Sequence, residues 1–71
     1  MKICKVQGEY IQLNQLLKLE NIASTGGEAR YMIEQGQVKV NGETADAIRK
    51  KIRSGDRVEA GGEMFLVETE A

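Results

Sequence analysis

Between residues 49 and 53, four of five side chains are basic: Arg49, Lys50, Lys51 and Arg53 flank a single Ile52. Cations crowded in this way repel one another, and an anion relieves the repulsion. Arg offers phosphate a planar fork with two hydrogen bonds, and Lys offers a point charge. The chemistry indicated is recognition of a phosphate-bearing partner, weighed against the ordinary alternative of a solvated charged loop. The rest of the 71-residue chain supplies little for catalysis. There is no His and one Cys, so there is no imidazole base, no Ser-His-Asp triad, no Cys-rich zinc cluster and no internal disulfide. Cys4 reads as a small strand residue with no sequence neighbour to activate its thiolate. The expectation is a protein that is not an enzyme and that needs no cofactor, metal or small-molecule substrate.

The formal net charge of -1 looks unfavourable for a polyanionic partner, but it hides a segregation. Residues 1–38 sum to zero, residues 39–58 to +3 and residues 59–71 to -4. A basic middle and an acidic end fit a one-sided binder, because net charge says nothing about distribution. No apolar run approaches the roughly 18 residues of a membrane span. The opening Met1-Lys2-Ile3-Cys4-Lys5-Val6 is too short and too charged for a signal peptide. With no disulfide framework, the expected setting is the reducing cytoplasm. A chain of this length makes one domain, 1–71, with a small core.

The elements that must hold the basic run can be read locally. Residues 2–6 alternate weakly, as a short strand does, and Gly8-Glu9 makes a turn towards Tyr10-Ile11. Leu13, Leu16 and Leu17 form the i, i+3, i+4 stripe of a first helix, with Asn14 as its expected cap. Leu19 falls off the stripe. Ser24-Thr25-Gly26-Gly27 is a turn and cap cluster. A second helix is expected over 27–35, with Ala29, Met32 and Ile33 inward, Glu28 in the dipole-favoured first turn and Gly36 as the left-handed stop. Val38-Lys39-Val40 alternates, so the two valines point to the core and Lys39 to solvent. Asn41-Gly42 is a hairpin turn, and residues 43–45 begin the return. Ser54-Gly55-Asp56 turns the chain again. Residues 57–59 and 63–67 pair through Gly61-Gly62, with Met64 and Phe65 as core filling. Two short helices packed on a small antiparallel sheet make an α+β domain.

The ordered series of residues 22–42, from Ile22-Ala23-Ser24-Thr25-Gly26-Gly27-Glu28-Ala29-Arg30 through Gly36 to Val38-Lys39-Val40-Asn41-Gly42, resembles the RNA-binding domain of small-subunit ribosomal protein four, the αL motif. Lys51-Ile52 and Gly55-Asp56-Arg57-Val58 continue the pattern, so that the resemblance runs from about Leu13 to Glu59. Leu16-Leu17-Lys18-Leu19 and Gly26-Gly27 are most similar to the short stand-alone bacterial members. The chain departs at Gly26, where many longer members carry an Arg. The resemblance implies a binder of structured RNA, such as ribosomal RNA, and a monomer is expected. It also implies a basic face of Arg30, Lys39, Arg49, Lys50, Lys51 and Arg53, with Lys18 at its margin. RNA helices are contacted through backbone shape and 2′-hydroxyls, a task for a rigid surface of spaced cations.

Each of these residues has a plainer reading. Arg30 can pair with Glu34 one turn along, Lys39 can protect an edge strand, and Tyr31 can pack on leucines rather than stack on a base. A different class of function also fits. An exposed strand edge or the acidic end would suit a protein-interaction module.

Overall fold

The computed structural model describes residues 1–70, so Ala71, the last residue of the expected domain, lies outside it. The order of elements is β1 (Lys2–Gln7), β2 (Ile11–Gln12), α1 (Leu13–Leu19), α2 (Gly26–Glu34), β3 (Lys39–Val40), β4 (Glu43–Thr44), β5 (Lys51–Ile52), β6 (Arg57–Ala60) and β7 (Glu63–Glu70). Five strands form one sheet in the order β1-β7-β6-β3-β4, and β2 pairs with β5 in a separate small ribbon. The α+β class stands, but the main sheet is mixed rather than wholly antiparallel. β1 runs parallel to β7, with Lys2 opposite Phe65 and Gln7 opposite Glu70. The remaining strand pairs are antiparallel.

One face of the sheet carries the core. Cys4 and Val6, Phe65 and Val67, Val58 and Ala60, and Val40 point inward onto Leu13, Leu16, Leu17, Ala29, Met32 and Ile33 of the two helices. The period of two in each strand sends Ile3, Met64 and Lys39 to the opposite face. Met64, expected in the core, is therefore exposed, because Phe65 and Val67 take the inward positions of β7. Cys4 is 2% exposed. Burial, and then the Glu20 carboxylate, push its thiol up to about 12, while Lys2 acts in the opposite sense.

Both helices end in the same way. Asn21 and Gly36 take positive φ angles of 59° and 72° just beyond the last turn. The N–H of Ile22 then donates to Leu17 and that of Asn21 to Lys18, while Gln37 donates to Met32 and Gly36 to Ile33. These are two Schellman stops, one built on Asn and one on Gly. The helix starts differ. At α2, Thr25 Oγ1 accepts the N–H of Glu28 at 3.1 Å, which is a side-chain cap worth about 1 kcal/mol. At α1, Asn14 is not the cap. It is the second helical residue, and its Oδ1 is buried with no hydrogen-bond partner among the described residues. Backbone carbonyls close that end instead. Lys50 accepts the N–H of Leu13 at 2.9 Å, and Ile48 accepts that of Asn14 at 3.1 Å.

Candidate nucleic-acid interface

Those two carbonyl bonds position the basic run. They anchor residues 48–50 on the start of α1, and Ile48 packs against the core beneath. The chain leaves this anchor as β5, with Lys51 opposite Gln12 and Ile52 opposite Ile11. Ile52 is fully buried, so strand alternation turns Lys51 and Arg53 outward together. Arg53 is fixed from its other side, its N–H donating to Asp56 Oδ2 at 2.8 Å. Asp56 Oδ1 accepts from Asn41 Nδ2 at 3.0 Å, and Asn41 Oδ1 accepts the N–H of Arg57 at 2.9 Å. The Asn41-Gly42 turn is thus tied to the Gly55-Asp56 turn, and both flank the basic segment. Asn41 has the left-handed φ of 53° that a type I′ turn requires.

The α2 start contributes the second part. A cleft lined by Asn14, Gly26, Gly27, Arg30, Ile48 and Arg49 brings the first turn of α2 against the anchored loop. Arg30 and Arg49, 19 positions apart in the chain, share that cleft. The amides of Gly26 and Gly27 open α2 without an acceptor among the described residues. Free amides at a helix start favour anions. Arg30 does form the alternative ion pair, Nε to Glu34 Oε2 at 3.3 Å, with its side chain 65% exposed. An exposed pair of this kind is worth about 0.3–0.5 kcal/mol, which a phosphate easily outbids. Arg49, Lys50, Lys51 and Arg53 have no carboxylate within 4.0 Å among the described residues, since the ion pairs there are Lys2–Glu20 and Arg30–Glu34.

The other expected contacts lie elsewhere. Lys39 is exposed on the outer sheet face opposite Glu59, in a groove that also holds Glu63 and Met64. Lys50 borders a different groove, beside Asn41, Glu43 and Asp46. Lys18 is exposed in the last turn of α1. The residue missed by sequence reasoning is Tyr10. Its ring has Lys51 Nζ at 4.9 Å and the Arg53 guanidinium carbon at 5.7 Å from its centroid. Only the two-residue ribbon β2–β5 reveals that neighbourhood, and so short a strand leaves little trace in sequence. Tyr31, expected to pack on leucines, is 58% exposed on α2.

No group of three or more acidic, His or Cys side chains suited to a metal occurs among the described residues. None of their helices is long and apolar enough to cross a membrane.

Comparison with known proteins places this arrangement. The chain is 40% identical over 58 residues to YbcJ of Escherichia coli strain K12, named as an RNA-binding protein, covering 82% of this chain and 83% of that one. It is 35% identical over 57 residues to RlbA of Bacillus subtilis strain 168, named as a ribosome maturation protein, covering 80% of each. The solution structure of Escherichia coli YbcJ, described as revealing an αL motif involved in RNA binding, superposes with a TM-score of 0.71 at 33% identity. It covers 96% of this chain and 87% of that one. The family model described as the S4 domain matches residues 4–68. The chain belongs to the S4 domain family, as a short member carrying the αL motif.

Proposed function

We propose that this protein is a non-enzymatic RNA-binding module that recognises structured RNA, ribosomal RNA foremost, as a cytoplasmic monomer of one domain, 1–71. The observation that carries this reading is the convergence of Arg30, Arg49 and the open amides of Gly26 and Gly27 on one cleft, with Lys51 and Arg53 free of carboxylate partners, among the described residues, on the strand that follows. Phosphates of an RNA backbone are the chemistry such a surface fits, and the names of the relatives point the same way. Arg30, Arg49, Lys51 and Arg53 are the principal contacts. Lys50 and Lys18 stand at the margin, and Lys39 acts at most from the far side of the hairpin.

Titration of a structured ribosomal RNA fragment across a salt series tests the proposal. Neutralising three to five phosphates gives a slope of log K against log salt of about -2 to -5. The Arg30→Glu, Lys51→Glu double variant should lower affinity more than about tenfold and flatten that slope by about two. Charge reversal at Glu63 and Glu70 should leave both nearly unchanged. If that reversal proves the more damaging, the basic face is not the RNA-binding site.

A further inference from the structure

Tyr10 is the large side chain that the phosphate-binding reading leaves unused. Continuing the β2–β5 register past Ile11–Ile52 sets Tyr10 opposite Arg53, and alternation puts Lys51 on the same side. The two cations at 4.9 Å and 5.7 Å hold the ring, while Tyr10 stays 39% exposed. Tyr31, the other tyrosine, has no cation over its ring among the described residues. A cation over an aromatic ring is attracted by the negative face of its π-system. Here it also holds the ring in place before any ligand arrives, with Tyr10 still partly open to solvent, so that little ordering entropy remains to be lost.

A ring presented in this way has little to offer a continuous duplex. Bases inside a helix already stack on both faces, and protein contacts there go to phosphates and 2′-hydroxyls. An unpaired or terminal base does have a free face, and its own phosphate would fall beside Lys51 and Arg53. The ribbon also leads straight to the cleft. Residues 49–53 span at most about 14 Å when extended, a reach of roughly two nucleotides.

We propose that Tyr10 is a stacking platform for one unpaired nucleotide, and that the RNA selected is a duplex with a bulge, overhang or junction beside the basic face. This rests on the RNA-binding reading above and narrows its substrate class. The test compares a blunt RNA hairpin with the same hairpin carrying one unpaired 2-aminopurine, whose fluorescence is quenched on stacking. The protein should bind the second about fivefold or more tighter, with quenching. Tyr10→Phe should keep the preference and the quenching, and Tyr10→Leu should lose both. Circular dichroism establishes that both variants are folded. Equal binding of the two hairpins by the unmodified protein overturns this inference alone. So does a Tyr10→Leu variant that keeps the preference, or one that weakens both RNAs equally, which would make the ring only a brace for Lys51 and Arg53. Failure to bind either hairpin at low salt removes the RNA-binding reading itself.

Discussion

The two helix starts begin with the same resource and use it differently. Each opens with amides that have no partner inside the helix. At α1, the amides of Leu13 and Asn14 are taken by the carbonyls of Lys50 and Ile48, and the result is an anchored loop. At α2, Thr25 caps one amide and the Gly26-Gly27 pair leaves the first two open to the cleft. One start builds the scaffold and the other keeps two amides open. The basic loop is therefore held by its backbone, and none of its cations is neutralised by a carboxylate among the described residues.

Amide hydrogen exchange gives the sharpest contrast. Leu13 and Asn14 should be protected in the free protein, whereas Gly26 and Gly27 should exchange at least about a hundredfold faster. Added RNA should slow Gly26 and Gly27 and leave Leu13 unchanged. Equal protection of both starts in the free protein would break the contrast. A smaller effect should come from Gly26→Arg. A Cβ at position 26 meets nothing within 4 Å, so the side chain fits, and it restores a cation at the open start. RNA affinity should rise about threefold, with the salt slope steeper by about one. Lys39→Glu should change affinity less than about twofold in the same assay, since Lys39 faces Glu59 on the outer sheet. A further effect, absent at neutral pH, belongs to neither start. Cys4 keeps its proton to about 12, whereas an ordinary thiol loses it near 9.0. The unfolded chain therefore releases that proton first, and stability should fall as pH rises from about 9 towards 12. Below pH 9 this contribution is constant. Urea unfolding with and without Cys4→Ala isolates it, and alkylation of Cys4 at neutral pH should require unfolding.

How much of this was legible follows from how far apart the partners lie in the chain. The second helix was readable because Thr25, Glu28 and Gly36 act within a few residues of their own positions. The Asn41-Gly42 hairpin was readable for the same reason. The start of α1 was not, because its caps are carbonyls some 35 residues downstream, and a carbonyl has no residue type to read. Asn14 looks right for a cap and stands two residues past it. The cleft was half legible. Arg30 and the basic run were visible as charges, but their meeting depends on the loop anchor, and Tyr10 enters only through a ribbon two residues wide. The outward turn of Met64 follows from alternation around Phe65, which sequence alone cannot phase when both residues are apolar.

The parallel pairing of β1 with β7 has a consequence for the time order of assembly. Lys2 meets Phe65, so almost the whole chain is the connection between these two strands. Closing so long a loop is entropically slow compared with forming a hairpin. During synthesis the helices and the β3–β4 turn can form as they emerge, while β1 waits with Ile3 and Val6 unpaired until β7 has left the ribosome. Docking of β1 is then expected to be the last step of folding. Mutations along it should accelerate unfolding while scarcely slowing refolding.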